Sequence, residues 1–163
     1  MADPQMPEPV HLPVTLQAKS DQSIVVTGVR VDLMANDPLP GKGSVVKASG
    51  CGGGMTLRVF DVDLDGHPVS IKPAVAQQPA GGVKAGPDFP FKVSSGDPEQ
   101  LSLRLPSVKR DVRFSVTVEW VSEGEPGSVK LDNGGRGFRV MGPSTLPKYS
   151  RSTLYARPSA ASP

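Results

Sequence analysis

Alternation of apolar and polar residues constrains this chain more than any other feature of its sequence. The clearest run is 112–120, in which every second residue is apolar. The apolar positions are Val112, Phe114, Val116, Val118 and Trp120, and the residues between them are Arg113, Ser115, Thr117 and Glu119. Successive side chains of a strand point to opposite faces of a sheet. The run therefore predicts a strand with one core-facing side and one solvent-facing side.

The same period-two pattern recurs along the chain. It appears at 10–16, 60–64, 89–93, 101–105, 129–131 and 138–140 and, with a change of phase at Gly28, at 23–34. The phase change predicts a β-bulge, because an inserted residue swaps the two faces. Pro13 cannot donate to a ladder, which predicts that the first strand lies at a sheet edge. Turns are predicted at 123–127 and, of the hairpin type, at 133–135.

The sequence disfavours helices of ordinary length, because it contains 18 Gly and 18 Pro among 163 residues. We therefore predict an all-β chain, specifically an immunoglobulin-like antiparallel β-sandwich with Pro/Gly-rich loops and flexible termini. Residues 1–9 are predicted to be a disordered lead-in, 10–142 the sandwich domain, and 143–163 a basic Pro/Ser-rich tail. Residues 36–43 and 73–88 read as loops by composition.

Charge is nearly balanced over the chain, with a net value of +2, but it is unevenly distributed. No acidic residue follows Asp132, and the last segment holds Arg136, Arg139, Lys148, Arg151 and Arg157. So weak a positive charge disfavours nucleic acid as a partner. No apolar run is long enough to span a membrane. The N-terminus lacks a signal-peptide pattern, so we expect a cytoplasmic protein if the chain is complete and an extracytoplasmic one if it is an excised domain.

Three aspartates at spacing two form the most suggestive local motif. Asp61, Asp63 and Asp65, followed by Gly66, match the first half of a calcium-binding loop. The second half does not match, because Lys72 stands where a bidentate Glu is needed. We therefore predict that the three carboxylates project from a strand into solvent, with calcium binding as the alternative.

Other reactive side chains are scattered. Copper could be held by His11, Cys51, Met55 and His67, but their order is not that of a blue-copper site. Cys51, the lone cysteine, stands among the glycines of 50–54 and could act as a nucleophile only with His11 or His67 as its base. A turn explains the glycines equally well. We predict no catalytic, cofactor-binding or metal-binding residue, and hence no enzyme.

Two aromatic features could mark a binding surface. Trp120, the lone tryptophan, continues the apolar face of its strand, which predicts a buried core residue rather than an exposed anchor. Basic and aromatic residues interleave in the tail, at Lys148, Tyr149, Arg151, Tyr155 and Arg157. Such a segment could contact an anionic surface or a partner's sheet edge. An unstructured end, or a strand packed on its own domain, is the prediction we favour.

Several short motifs follow one another along most of the chain. They are Gly50-Cys51-Gly52-Gly53, Phe60 to Asp65, Asp88 to Ser94, Asp97-Pro98-Glu99, Glu119-Trp120, and Gly134, Arg136, Phe138 and Arg139. Over roughly residues 14–150 the chain resembles an uncharacterised β-rich domain of high-GC actinobacterial proteins, which often follows a membrane anchor or a regulatory region. The resemblance implies an interaction or sensory module and supplies no catalytic residue. The chain departs from the pattern in having no anchor of its own.

The absence of converging reactive groups leads to the functional prediction. We expect non-enzymatic binding of a protein or another macromolecule through loops, such as 36–54 and 73–88, or through an exposed sheet edge. One alternative is a structural or assembly protein, such as a phage or capsid component. Another is a metal-dependent or cysteine hydrolase with Cys51, His67 or the three aspartates in one pocket. The oligomeric state and the identity of the partner are left open at this point.

Overall fold

The computed structural model describes residues 10–43, 45–47, 57–105, 108–142 and 147–150. Every regular element within these ranges is a strand, so the all-β prediction is confirmed. The strands are β1 Val10–Leu16, β2 Ile24–Asp37, β3 Val45–Lys47, β4 Leu57–Asp63, β5 Ser70–Pro73, β6 Val75–Gln77, β7 Val83–Ala85, β8 Phe91–Val93, β9 Glu99–Leu105, β10 Asp111–Ser122, β11 Glu125–Leu131, β12 Phe138–Met141 and β13 Lys148–Ser150. The described part of the chain contains no helix that could cross a membrane.

Two main sheets contain most of these strands. One has four strands in the order β1-β9-β4-β5, and the other has β11-β10-β2-β8 with β12 added beside β10. Strands β3 and β13 form a separate pair, as do β6 and β7. Pairing is antiparallel except between β4 and β9 and between β3 and β13. The predicted sheets were antiparallel throughout, so these two parallel pairs are a difference.

The inner faces of the two main sheets meet in one apolar core, which makes the arrangement sandwich-like. The buried residues come from alternate positions of the strands in both sheets. They include Val14, Phe60, Val62, Leu101, Leu103 and Leu105 from one sheet and Val26, Val31, Phe91, Val93, Val112, Phe114, Val116, Val118 and Val140 from the other. Apolar residues with period two therefore bury one side of each sheet, as the sequence predicts.

An aromatic stack links the two sheets near one end of this core. The ring centroid of Phe89 lies 4.6 Å from that of Phe60 in β4 and 5.4 Å from that of Phe91 in β8. The Arg58 guanidinium lies 4.4 Å from the Phe91 centroid and makes two hydrogen bonds, of 3.0 and 3.2 Å, to Glu99. Stacking and cation–π contacts each add to area burial, so this cluster ties β4, β8 and β9 together.

Two predictions about particular strands are confirmed. Strand β1 is an edge strand, as Pro13 indicated. Along β10, Glu119 pairs with Gly28 and Trp120 with Val26, so Thr27 is the extra residue of a bulge beside Gly28. A second register shift, at Met34, lets β2 continue to Asp37, within the segment predicted as a loop.

The outward face of β10 differs from the prediction. Ser115 and Thr117 point away from the core as expected, yet both are buried, with 0% and 6% of their surface exposed. Thr117 pairs with Arg30 on one side and Lys130 on the other, and long side chains of this kind cover small neighbours with their stems. The face of β10 that was predicted to contact solvent is therefore shielded from it at the centre of the sheet.

The turns also differ in detail from the prediction. The loop between β10 and β11 contains only Glu123 and Gly124, both with positive φ, as a type I′ hairpin requires. Residues 133–135 do turn, but they do not join a hairpin. They connect β11 to β12, which pair with successive halves of the same strand, β10.

Truncation of the central aromatic side chain should be costly. Phe114 is 1% exposed and packs within the shared core. We expect Phe114→Ala to lower the free energy of unfolding by about 3–5 kcal/mol, because it removes buried area and leaves a cavity. Urea denaturation at constant m-value measures this loss. A loss below about 1 kcal/mol would show that the inner faces are assigned wrongly.

The ion pair that joins β10 and β12 should make stability fall in acid. Arg139 donates to Asp111, with Nε 2.8 Å from Oδ1, and this hydrogen bond lowers the pKa of Asp111 below its usual 3.8. The native carboxyl then binds its proton less tightly than the unfolded one does. The pair's stabilisation is complete above the ordinary carboxyl pKa, and it is lost as the pH falls from there through the lowered value. Urea melts of the wild type and of Asp111→Asn should diverge above that window and converge below it; parallel curves would contradict the assignment.

Candidate functional site

Two of the three aspartates of the calcium-like motif have separate structural roles, and Asp65 is exposed in the turn after β4. Arg104 on β9 donates two hydrogen bonds to Asp61, and this contact raises the pKa of Arg104. Asp63 Oδ1 accepts from the backbone N–H groups of Asp65 and Gly66, each at 3.1 Å, and so closes the turn after β4. Among the described residues no three His, Cys, Asp or Glu side chains gather as a metal site would require.

The two histidines lie apart. His11 is on β1, where its Nδ1 is 3.0 Å from Ser102 Oγ, whereas His67 is exposed in the turn between β4 and β5, at the other edge of the sheet. Cys51 and Met55, the other members of the copper and nucleophile hypotheses, lie outside the described residues. Nothing in the described ranges therefore brings the two imidazoles to one pocket.

Trp120 differs from the predicted core tryptophan. It is only partly buried and lies at the margin of the core, near the end of β10. Its ring covers Gly127, the residue paired with it on β11: a Cβ added there would lie 2.6 Å from Trp120 Cε2. A glycine at this position allows the ring to lie flat against the backbone of β11.

The basic tail is described only in part. The backbone of Lys148–Ser150 pairs in parallel with Val45–Lys47, so this piece of the predicted tail forms a strand. Arg151, Tyr155 and Arg157 lie outside the described residues, as do most of the glycine-rich residues in the predicted recognition loop 36–54.

Prolines mark the outer strands of both main sheets. Pro13 lies in β1, Pro73 in β5 and Pro126 in β11, and Pro90 directly precedes β8. Because proline has no N–H, each of these strands offers an incomplete row of donors to an added strand. Two parts of the described edges have no proline: the short strand β12 beside β10, and the stretch of β2 beyond Val26, which β8 does not cover. Strand addition, one of the two modes that the sequence suggests, is therefore disfavoured only along the edges that carry proline.

The other predicted recognition loop, 73–88, contains a hairpin. Strands β6 and β7 pair as Val75 with Ala85, Ala76 with Lys84 and Gln77 with Val83. We call residues 74–86 the hairpin arm. Its base is fixed by hydrogen bonds from Ala74 N to Val59 O and from Gly86 N to Ala74 O. The sequence analysis missed this hairpin, although apolar and polar residues alternate briefly on both sides of the turn-forming sequence Pro79-Ala80-Gly81-Gly82.

The hairpin arm is exposed along its whole length. All residues from 75 to 85 are exposed, and the exposed fractions of the two valines are 68% at Val83 and 52% at Val75. These two valines share one face of the ribbon, because residues two apart and their cross-strand partners do so. An isolated two-stranded ribbon is only marginally stable in water, so burial of this apolar face would stabilise the hairpin arm.

A groove opens between the two sheets at the β1 edge. We call it the edge groove. It has a volume of about 510 Å³ and lies between β1 and the segment from Lys130 to Gly134. The apolar part of its lining comes from Leu12, Val14, Leu131 and Phe138. The lining also contains two charged residues, Lys130 and Asp132. The groove is wide open to solvent, unlike the enclosed clefts that bury most of a small ligand.

No protein-family model, curated protein or solved structure matches this chain.

The close contact between Trp120 and Gly127 predicts a spectroscopic effect. Gly127→Ala should displace the ring, because a methyl group there would overlap it. We expect a changed emission spectrum from the lone tryptophan and a loss of about 1–3 kcal/mol in unfolding free energy, as for other overpacked sites. Ser128→Ala, one residue along the same strand and exposed, is the control. Identical spectra for the wild type and Gly127→Ala would contradict the contact.

Proposed function

We propose that this chain is a non-enzymatic binding module that recognises a protein partner through the apolar face of the hairpin arm. The observation that carries the proposal is a continuously exposed ribbon with two valines on one face. Full burial of a valine contributes roughly 1.5–3 kcal/mol. Two such residues, already partly shielded, supply a modest but useful share of a binding energy.

Charge favours a protein over nucleic acid as the partner. Lys84 is the only charged residue of the hairpin arm, and the pairing with Ala76 puts it on the face opposite Val75 and Val83. Phosphate recognition needs clustered cations. Elsewhere among the described residues, carboxylates pair with the guanidinium groups of Arg30, Arg58, Arg104 and Arg139. Three further arginines donate instead to Asn36 or to backbone carbonyls, namely Arg110, Arg113 and Arg136.

The finer predictions from sequence support the same function. Facing sheets of four and five strands fit an immunoglobulin-like sandwich, although the parallel pairing of β4 with β9 differs from its usual antiparallel sheets. The resemblance to an actinobacterial β-rich domain likewise implies an interaction or sensory module. We keep both as part of the proposal.

Affinity capture with matched arm variants tests the proposed function. Val83→Asp puts a charge on the apolar face, whereas Ala76→Asp puts the same charge on the opposite face of the same ribbon. We expect a partner retained by the wild type and by Ala76→Asp, and retained at least about tenfold less by Val83→Asp, equivalent to about 1.4 kcal/mol. Because both positions are exposed, thermal melts of the two variants should match the wild type. Equal capture by all three proteins would refute the proposal.

A further inference from the structure

Strand β2 has a long stretch of sheet edge with no proline and, within the described ranges, no neighbouring strand. Strand β10 pairs with one side of β2 along its length, whereas β8 pairs with the other side only at 24–26. We call residues 27–37 of β2 the open edge. Unpaired N–H and C=O groups along such an edge can bind an added strand. Strand β12, the other edge without proline, is only four residues long.

Two bulges bound the regular part of the open edge. The register against β10 shifts at Thr27 and again at Met34. Between these positions, residues 28–33 pair with consecutive residues of β10 without interruption. A bulge bends its strand and disrupts the ladder locally, so an added strand would pair with the stretch between the two bulges.

Side chains of this stretch alternate between an apolar row and a charged row. Val29, Val31 and Leu33 face the core, but Val29 and Leu33 are only partly buried there. Arg30 and Asp32 lie on the outer face, with 59% and 48% of their side-chain surface exposed. Within one chain they form an ion pair at 3.1 Å. Exposed pairs of this kind contribute little to stability, so an exchange of partners costs little.

The two rows are complementary to a second copy of themselves. If two β2 strands pair antiparallel with Val31 opposite Val31, each Arg30 lies opposite Asp32 of the other copy. In the same register each Val29 lies opposite Leu33 of the other copy, on the core side. Opposite charges and apolar side chains stabilise a sheet when they are cross-strand neighbours. Centring the pairing on Arg30 or on Asp32 instead puts two like charges directly opposite, which is destabilising.

We propose that two copies of this chain associate through their open edges, antiparallel, with Val31 at a two-fold axis. The two five-stranded sheets then continue into each other across the contact. The contact is isologous, because both copies contribute the same surface, and it therefore closes at a dimer. It uses no residue of the hairpin arm, so it goes beyond the proposed function and does not depend on it.

The size of the contact predicts weak association. Pairing about Val31 uses the five residues 29–33 of each copy, whereas a stable interface of standard size uses about 20–30 on each side. Backbone hydrogen bonds supply affinity in strand addition, and the side chains select the partner. We therefore expect a dimer that forms with rising protein concentration and dissociates on dilution.

Sedimentation equilibrium with charge-reversal variants measures this association. Between about 10 µM and about 1 mM, the range expected for an interface this small, the weight-average mass of the wild type should approach that of two chains and no more. Arg30→Asp and Asp32→Arg each put like charges opposite, and each should bind itself at least about tenfold more weakly. Lys130→Asp is the matched control, because Lys130 is exposed on the same outer face and Thr117 separates it from Arg30.

The variants also report whether the fold is intact. Arg30 and Asp32 are exposed, so both variants should unfold cooperatively in thermal melts. A wild type that stays monomeric up to about 1 mM, a mass that rises beyond two chains, or a dimer that survives both charge reversals would each overturn the inference.

Mixing the two variants tests the register. One variant has two acidic side chains on its open edge and the other has two basic ones, so each charge meets its opposite in a mixed pair centred on Val31. An equimolar mixture should therefore dimerise at lower concentration than either variant alone. Native mass spectrometry identifies the mixed dimer, because the two chains differ in mass. A mixture that associates no better than its components would overturn the proposed pairing.

A variant of the hairpin arm separates this inference from the proposed function. Val83→Asp should dimerise like the wild type, and loss of the dimer in this variant would contradict pairing through β2. If Val83→Asp abolishes capture of another protein while the wild type is monomeric, the proposed function stands and this inference fails. If the wild type dimerises as described but capture is the same with and without Val83→Asp, the inference stands and the proposed function fails.

Discussion

Burial of alternate apolar side chains between two facing sheets determines what the rest of this molecule can do. Once Phe60, Leu103, Phe114 and Val116 are enclosed, the remaining side chains of the same strands must face outward or sideways. The polar groups then pair locally, as Arg104 does with Asp61. Among the described residues, large apolar side chains stay exposed on the hairpin arm, at Val75 and Val83, and at separate positions of the main-sheet strands. The latter are Val10, Val25, Met34, Val129 and Met141.

The alternation in the sequence was sufficient to predict the longer strands but not which strands they pair with. The sequence correctly predicted the strands at Val112 to Trp120 and at Leu101 to Leu105, because each has one face in the core. The bulge at Gly28 was visible as a change of phase. The parallel pairing of β4 with β9 was not, because period two is the same in parallel and antiparallel strands.

The errors have specific physical causes. Ser115 and Thr117 read as solvent-facing because they are polar, yet small side chains at the centre of a sheet are covered by longer neighbours. The hairpin arm read as a loop because its strands are only three residues long and are interrupted by Pro and Gly. The sequence analysis thus proposed 73–88 as a recognition loop, whereas the regular backbone and the apolar face of this segment were missed.

The order of pairing along the chain has a consequence for synthesis on the ribosome. Every residue of β1 pairs with one in β9 that lies 83 to 95 positions later, and β2 pairs with β10 over a similar interval. At 5–20 residues per second, the first strand waits on the order of 4 to 20 s for its partner to emerge. Strands β1 and β2 thus lack their partners β9 and β10 until those later residues have been translated. During that delay Pro13 has a protective role, because an interrupted row of donors hinders pairing between neighbouring nascent chains.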